Sequence, residues 1–371
     1  MSLFHSVVTK AADYFFRKRS PALIVFRGGI SLLTMTLLGN FAFNARYENA
    51  HQVFSINIPS SDVPISLLTF GFYCGVALVV IGLIWEIHRD VAERRKQARQ
   101  VVISLEERGL VNTSDSPLST FIQLQYKGKR VDPIVIDIRD SLANGAVNYP
   151  VPALQKFLAI ENSIEERRNQ VGADDVEIIY GGLVPVPFAF LTGYLIDDES
   201  KVEVTDWDRQ ISNWRHLDGN DDGESFLIER LYQNRQSRES VVAISFSYPV
   251  DTTGISKSFP NLPQIHLKLD KLRFDNHWSK RKQDRLAYEF VETLKSLIAD
   301  GVEQIHLVLA CQNSVAFRFG QAYDRRNLPP ITVYQYERSK VNRYPWGVYI
   351  PQSQQELIQV VDNKHYIIDA G

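Results

Sequence analysis

The sequence is poor in the residues that build disulfide or metal frameworks. Its 371 residues include two cysteines, Cys74 and Cys311, which lie far apart in different contexts. We therefore expect no disulfide framework and no zinc site. Lysine and arginine number 41 against 43 aspartates and glutamates, so the chain lacks the excess of positive charge that duplex nucleic-acid binding requires. With 44% hydrophobic residues it can still build two or three domains.

Common catalytic motifs are also absent. The sequence contains no G-x-G-x-x-G, P-loop, H-E-x-x-H, G-x-S-x-G or C-x-x-C motif. The dinucleotide, nucleoside-triphosphate, metalloprotease and hydrolase functions therefore lack their residues. The eight histidines are scattered singly, and His266 and His306 fall within predicted strands, where a packed histidine is more common than a catalytic one. We predict no catalytic residue, no metal and no cofactor.

Two stretches near the N-terminus are typical of membrane spans. Gly28 to Ala45 carries no charged residue, and Val63 to Trp85 is uncharged over about 35 Å of helix. The alternatives are a cleaved signal peptide for the first stretch and a buried core hairpin for both. We predict a cytoplasmic segment at 1–21 and a two-helix transmembrane hairpin at 22–87.

The charges that flank these stretches predict their orientation. Arg17, Lys18 and Arg19 precede the first span, and five basic residues between positions 89 and 99 follow the second. The link at 46–62 carries one arginine against one glutamate and one aspartate. The positive-inside rule then predicts a multi-pass protein with both ends in the cytoplasm.

Each predicted span carries polar or small residues along one face. Thr36, Asn40 and Asn44 recur at i, i+4 and i+8 on the first, and Gly71 and Gly75 form a G-x-x-x-G step on the second. Small residues permit close helix contact, and amides inside a membrane seek partners or water. Two interpretations stay open: self-association of the spans along a wet path, or packing within one hairpin.

The segment after the second span has a helical pattern. Glu86 to Gly109 is rich in charge and ends in a glycine suited to a C-cap, and 112–117 is polar and turn-rich. We predict a connector helix over 88–113, acting either as a mechanical link or as a passive spacer. The soluble part then begins at 114, with 121–126 as its first strand.

The rest of the chain contains one α/β unit twice. Val176 to Arg209 and Ile305 to Arg338 align as strand, turn, helix and strand. Corresponding positions are Ala189-Phe190 and Ala316-Phe317, Gly193 and Gly320, and Trp207-Asp208-Arg209 and Tyr336-Glu337-Arg338. The repeat predicts two related α/β half-domains, 114–239 and 240–371, in a pseudo-twofold arrangement with any pocket between them.

A binding site is expected at the carboxyl ends of the repeated strands, where helix N-termini point at ligands. The predicted ligand-binding residues are Gln312, Asn313, Ser314, Phe317, Gln335, Tyr336, Arg338, Trp207, Gly182 and Tyr248. Trp207 and Tyr336 suit base stacking, amides can read base edges, and Arg338 and helix N-termini can hold phosphates. The alternative for Trp207 and Tyr336 is an aromatic contact between the halves.

An acidic segment resembles an EF-hand loop in its spacing. The matching positions are Asp218, Asn220, Asp222, Gly223 and Glu229. Ser225 stands where a buried aliphatic residue is usual, so we favour an acidic surface loop before a helix over 225–234. A closing helix is predicted over 353–361.

The stretch IHLVLACQNSVAFRFGQAYDRRNLPPITVYQYER, with the upstream segments ISFSYPV, QIHLKLD and VEVTDWDR, resembles the SAVED domain. This domain is the cyclic-oligonucleotide sensor of bacterial CBASS antiphage systems and is related to a fused pair of CARF domains. The resemblance covers about Leu118 to Gly371. With the two spans, the whole chain resembles a transmembrane SAVED effector.

The resemblance implies two CARF- or Rossmann-like halves and a cyclic di- or trinucleotide ligand made by a CD-NTase-type cyclic nucleotide synthase. It also implies a homo-oligomer on ligand binding, non-enzymatic disruption of the lipid of the bacterial inner membrane, and abortive infection. A membrane-tethered nuclease or ring nuclease is the alternative, since some CARF relatives cleave their ligand. Gly181-Gly182-Leu183 replaces the polar Cys311-Gln312-Asn313, which favours an asymmetric pocket.

Overall fold

Apolar sequence near the N-terminus folds into two helices, α1 (Pro21–Leu38) and α2 (Ile65–Arg99), with the antiparallel pair β1 (Phe43–Asn49) and β2 (Gln52–Ile58) between them. The computed structural model describes residues 20–38, 43–49, 52–58, 64–111, 113–143, 146–172, 175–196, 201–231, 237–353 and 355–365. The chain divides into two units, 1–97 and 98–371.

Among the described residues of the first unit, helix α2 is long and apolar enough to cross a membrane over Ile65–Glu93, whereas the apolar part of α1, Pro21–Leu37, is shorter. At 1.5 Å per residue α1 is about 27 Å long, slightly less than the hydrocarbon core of a bilayer.

The first predicted span extends too far. Helix α1 ends at Leu38, just before Gly39, and glycine is a weak helix former. Asn44 lies in β1, opposite Asn57 of β2, so strand pairing replaces the predicted helical position. Asn40 lies outside the described residues. The predicted polar face of three residues on one helix is therefore wrong at Asn44.

Glycines bring α1 and α2 into close contact. A Cβ atom added to Gly71 would lie 2.7 Å from Thr36 Cγ2, and one added to Gly75 would lie 2.8 Å from Leu33 Cγ. A Cβ atom on Gly29 would lie 2.9 Å from Gly75 O. The G-x-x-x-G step therefore packs against the other helix of the same chain, which is the hairpin interpretation.

The first sheet of the second unit has five strands in the order β4-β3-β7-β8-β9. They are β3 (Val101–Arg108), β4 (Arg130–Asp137), β7 (Val176–Leu183), β8 (Val202–Asp208) and β9 (Asn213–His216), with a separate small pair β5 (Leu142–Ala143) and β6 (Ala146–Val147). The helices of this half are α3 (Leu118–Gln125), α4 (Pro150–Val171) and α5 (Val186–Ile196).

Strand β3 corrects the predicted connector helix. The helix ends at Arg99, and every residue from Val101 to Glu107 is buried between β4 and β7. Its β-branched residues suit a central strand. The predicted strand at 121–126 is also wrong, because Leu118 and Ile122 bury one face of helix α3. A fragment that begins at residue 114 would lack β3.

The second sheet has seven strands in the order β10-β12-β11-β13-β14-β15-β16. They are β10 (Leu227–Leu231), β11 (Glu239–Ser245), β12 (Gln264–Lys268), β13 (Gln304–Ala310), β14 (Ile331–Tyr334), β15 (Trp346–Ile350) and β16 (Gln359–Asp362). The helices are α6 (Thr252–Ser258), α7 (Lys280–Ala299) and α8 (Asn313–Ala322). The predicted helices at 225–234 and 353–361 are wrong, because β10 and β16 pair along the two edges of the sheet instead.

The acidic loop before β10 contacts basic side chains. Asp222 Oδ2 lies 2.8 Å from the Nζ of Lys282, whose side chain is 2% exposed, and Asp218 Oδ1 lies 2.9 Å from Arg215 Nη2. Glu229 pairs with Lys268 in another direction. The carboxylates at the EF-hand positions thus face three different cations, which agrees with an acidic surface loop.

The two halves pack through α5 and α8, the helices of the repeated unit. A Cβ atom on Gly193 would lie 1.9 Å from Phe317 O, and one on Gly320 would lie 1.9 Å from Phe190 O. Only glycine permits so close an approach of two backbones. Residues that correspond in the repeat thus exchange contacts about a pseudo-twofold axis, which confirms the predicted α/β architecture of two related halves.

Candidate ligand-binding site

A cavity of about 710 Å³ lies where the carboxyl ends of strands from both sheets meet. The first half contributes the turn after β7 and the end of β8, and the second contributes the segments that follow β12 and β13. A neighbouring cavity of about 500 Å³ shares Val186, Tyr248, Cys311 and Gln335 with it. Both volumes suit a small-molecule ligand.

Six of the ten predicted ligand-binding residues line these cavities. They are Trp207, Tyr248, Gln312, Asn313 and Gln335 in the first, with Tyr336 in the second. The other four lie outside both linings. Gly182, Ser314 and Phe317 are buried, and Phe317 stacks on Tyr180 with ring centroids 3.9 Å apart, whereas Arg338 is exposed.

The amides at the strand ends differ in their freedom to bind a ligand. Gln312 Nε2 donates to Phe274 O at 2.6 Å, and Asn313 Nδ2 donates across the halves to Val184 O at 2.8 Å. Gln335 Oε1 is buried and accepts no hydrogen bond within the described part of the chain. The first two amides therefore hold the cavity walls, while Gln335 keeps an acceptor for a ligand.

A carboxylate already satisfies the N-terminus of helix α8. Asp206 Oδ2 accepts a hydrogen bond from Ser314 N at 3.1 Å, and Oδ1 accepts one from Trp207 N at 2.7 Å. A buried negative charge at the positive end of a helix is stabilising. The N–H of Ser314 therefore joins the two halves, and phosphate binding at this helix N-terminus stays a prediction.

His277 and Trp278 are among the cavity residues that the sequence did not predict. The buried His277 ring makes no hydrogen bond to another side chain of the described residues, and its Nε2 lies 3.9 Å from Asp206 Oδ2. Burial lowers the pKa of His277 although Asp206 opposes the shift, so the neutral ring offers one donor and one acceptor. Both residues lie beyond a loop that follows the end of β12 at Lys268, so they do not directly follow a strand as Gln312 follows β13.

Aromatic rings form much of the cavity wall. Trp207 packs edge-on against Trp214 with centroids 5.3 Å apart, and Tyr336, which is 42% exposed, lies 5.5 Å from Tyr344. Each ring thus packs against a ring of its own half instead of forming the contact between halves that was the alternative. The Arg215 guanidinium lies 4.6 Å from the Trp278 ring and fixes one of its faces.

Positive charge at the cavity comes from Arg209, which lines it and is exposed. Arg338 corresponds to Arg209 in the repeat but lies outside both linings. Asp208, beside Arg209, accepts from Gln210 N at 2.8 Å and lies 3.4 Å from Arg215 Nη1. Because Asp208 is already compensated, Arg209 keeps its charge for an anionic ligand.

The fold and cavity define an α/β ligand sensor of two fused halves, carried on a chain with an N-terminal apolar helix long enough to cross a membrane. Residues 160–350 match the family model of SAVED, the "SMODS-associated and fused to various effectors sensor domain". Residues 1–154 match Saf_2TM, the "SAVED-fused 2TM effector domain". The protein therefore belongs to the SAVED family, and its 2TM region associates it with a membrane.

Solved structures similar to the chain include SAVED/CARF-domain containing receptors. The Acinetobacter baumannii Cap4 receptor is 16% identical, with TM-scores of 0.47 with the cyclic trinucleotide 2'3'3'-cAAA and 0.48 with 3'3'3'-cAAA. The alignments cover 77% of this chain and 58% of that chain. The Moraxella osloensis Cap4 receptor is 13% identical, with a TM-score of 0.40, over 77% of this chain and 56% of that one. The chain thus spans less than two thirds of these receptors, and curated proteins gave no match.

Proposed function

We propose that the protein is a membrane-anchored receptor and effector of a bacterial CBASS antiphage system. Its SAVED unit binds a cyclic di- or trinucleotide made by a CD-NTase-type synthase. Binding assembles the protein into a homo-oligomer, whose membrane helices disrupt the inner membrane and cause abortive infection. One observation carries this proposal: a single chain joins a SAVED unit with a cavity between its sheets to an apolar helix long enough to cross a bilayer.

The cavity offers each kind of contact that a cyclic nucleotide needs. Bases stack on Trp207 and Trp278, which is worth about 1–3 kcal/mol per base. Gln335 Oε1 and the His277 ring accept or donate at the base edges. Arg209 binds a phosphate through charge-assisted hydrogen bonds, worth about 1.5–3 kcal/mol.

We place both ends of the chain in the cytoplasm, so that the SAVED unit meets the product of a cytoplasmic synthase. Two spans are required for this orientation, one formed by α2 and one by α1. Since α1 is slightly shorter than the hydrocarbon core, the bilayer must thin around it. Local thinning at each hairpin favours leakage when many hairpins gather.

Assembly of the protein gathers the hairpins in the membrane. A cyclic nucleotide held at the cavity stabilises a head-to-tail contact between SAVED units, and each contact raises the local concentration of the hairpins. The hairpin acts as one piece, because Gly71 and Gly75 hold α2 against α1.

The full-length protein, reconstituted in dye-loaded liposomes, tests the proposal against a panel of cyclic di- and trinucleotides. We expect one ligand to raise the melting temperature, to produce oligomers in sedimentation of the detergent-solubilised protein, and to release dye. A panel without any binder would overturn the assignment of the cavity. Binding and assembly without dye release would leave the hairpin as a passive anchor and overturn the effector role.

Ring nuclease activity is the second candidate, and one observation favours it: His277 stands beside Asp206 in the cavity. A nucleophilic role for Cys311 is disfavoured, because burial raises the pKa of its thiol well above the usual range. Chromatography of the ligand after incubation with the protein distinguishes the candidates. We expect intact ligand; linear products that disappear in a His277→Ala variant would establish the nuclease.

Substitution at the helix contact tests whether sensing and membrane damage are separate. Gly75→Leu should abolish dye release and leave ligand affinity unchanged, because the added side chain meets Leu33 of α1. Gly28→Leu is the matched control, since a Cβ atom on Gly28 meets nothing within 4 Å. Loss of both ligand affinity and dye release in Gly75→Leu would contradict this division.

A further inference from the structure

Three side chains that could bind a metal meet on the second sheet, near its amino-terminal edge and therefore far along the strands from the cavity. Glu239 opens β11, His306 lies on β13, and His365 follows β16. Glu239 Oε2 lies 3.0 Å from His306 Nε2 and 3.2 Å from His365 Nε2. All three ligand atoms lie within 4.8 Å of one another.

These separations suit a tetrahedral ion. Zinc binds histidine nitrogen and carboxylate oxygen at about 2.0–2.2 Å, which places two ligand atoms of a tetrahedron roughly 3.3 Å apart. The two separations from Glu239 are close to that value. Two imidazoles and one carboxylate are also a donor set that zinc favours.

The surroundings of His306 direct its Nε2 at Glu239 and its Nδ1 at a hydroxyl group. Its side chain is 3% exposed, and its Nδ1 lies 3.1 Å from the hydroxyl oxygen of Tyr334. When Nδ1–H donates to this hydroxyl, the lone pair of Nε2 is directed at Glu239. Such a partner on the second nitrogen is typical of a metal-bound histidine.

The position of His365 is also fixed by its neighbours. Asn363 is buried, and its Nδ2 donates to Ser258 O at 3.2 Å and to Tyr344 O at 3.0 Å. Its Oδ1 accepts from His365 N at 3.0 Å. The Phe259 ring contacts both imidazoles, with centroids 5.7 Å from His306 and 6.0 Å from His365. The segment after β16 is therefore held in place by the hydrogen bonds of Asn363 and by the Phe259 ring.

We infer that Glu239, His306 and His365 bind one Zn²⁺ ion, which fastens the segment after β16 to strands β11 and β13. Glu239 and His365 are 40% and 30% exposed, so water has access to the fourth position of the ion. The role is structural, because the ion would join the segment after the edge strand β16 to the central strands β11 and β13. None of the three ligands lines either cavity, and the inference does not rest on the proposed function. The sequence carries no signal of it, since the ligands lie far apart in the chain.

Zinc titration of the full-length protein in detergent tests the inference. After treatment with a chelator and its removal, we expect calorimetry to show one Zn²⁺ per chain and the melting temperature to rise with Zn²⁺ but not with Mg²⁺. His365→Ala should weaken Zn²⁺ binding at least tenfold, and Co²⁺ in place of Zn²⁺ should lose its tetrahedral visible absorption in that variant.

His266→Ala is the matched control, because His266 lies on β12 beside Ser245, outside the cluster. It should bind Zn²⁺ like the unchanged protein. A protein that takes up no Zn²⁺ at micromolar concentration would overturn the site. Zinc binding that survives both His365→Ala and Glu239→Gln would overturn it equally, since the ion would then be held elsewhere.

Discussion

The two halves of the SAVED unit share one helix crossing but differ in the core beside it. In the first half, the buried Glu107 lies in hydrogen-bond contact with Thr192 and accepts from the Tyr180 hydroxyl at 2.8 Å. The equivalents of Glu107 and Thr192 in the second half are Phe246 and Phe319, whose rings lie 6.4 Å apart. One repeat thus uses a polar pair where the other uses an aromatic pair.

The strand ends differ as well. Strand β7 runs on through Gly181 and Gly182, and a Cβ atom on Gly181 would lie 2.7 Å from the Trp214 ring. Strand β13 stops at Ala310, and the polar Gln312 follows. Contact between the halves thus requires matched residues, whereas the strand ends at the cavity are free to diverge.

The largest effect is expected at the shared crossing. Gly193→Ala and Gly320→Ala should each lower the stability of the protein by about 3 kcal/mol or more, because the new methyl group meets a backbone oxygen. For a unit of this size that is a fall in melting temperature of roughly 6–12 °C. Thermal unfolding of the full-length protein in detergent measures it, with the unobstructed Gly28→Ala as control. A large loss of stability in only one of the two variants would contradict the pseudo-twofold symmetry of the crossing.

An intermediate effect is expected at the polar pair. Burial raises the pKa of Glu107 to about 8 from an ordinary value of 4.5, although the hydrogen bonds from Thr192 and Tyr180 lower it. The folded protein then holds a proton that the unfolded chain has lost, so this stabilisation is complete below pH 4.5 and disappears as the pH rises through about 8. When Thr192 Oγ1 donates to Phe188 O at 3.1 Å, its lone pair can accept a hydrogen bond from the protonated Glu107 carboxyl group.

Glu107→Gln tests this assignment, because an amide keeps the hydrogen bonds and does not titrate. Between pH 5 and 9 the melting temperature of the unchanged protein should fall relative to that of the variant, and the two should converge at the acidic end. Parallel curves would show that Glu107 is ionised in the folded protein.

The smallest effect is expected on ligand affinity, at the two arginines that correspond in the repeat, Arg209 and Arg338. Arg209→Gln should weaken ligand binding about tenfold, the loss expected for one charge-assisted hydrogen bond. Arg338→Gln should change the affinity less than about twofold, because Arg338 lies outside both cavities. Calorimetry with the ligand identified in the panel measures both. Equal losses would mean that the ligand is bound symmetrically.

Strong local signals explain which elements could be predicted from sequence. The amphipathic pattern over 280–299 predicts helix α7, and the short apolar run over 346–350 predicts strand β15; both elements begin and end at those residues. The crossing of α5 and α8 could also be predicted, since Gly193 and Gly320 align in the repeat. Strand β3 was not, because its charged end continues the pattern of the helix before it, and only pairing with β4 and β7 makes it a strand.

The residues of the candidate site divide in the same way, into those that a local pattern predicts and those that it does not. Gln312 and Asn313 could be selected because they end a strongly apolar strand. His277 follows β12 only after a loop, so no local pattern brings it to the cavity. The choice between Arg209 and Arg338 depends on which copy of the repeat faces the ligand, and self-similarity by itself treats the copies as equal.

The glycine crossing also governs how the SAVED unit can respond to a ligand. Where backbone meets backbone at Gly193 and Gly320, no flexible side chain remains to slide or to change rotamer, so the halves cannot hinge about this contact. The contact therefore sets the width of the cavity between the sheets. Under the proposed function, a cyclic nucleotide would then be selected by its ring size, and the loops at the rim would be the parts that move on binding and touch a neighbouring molecule.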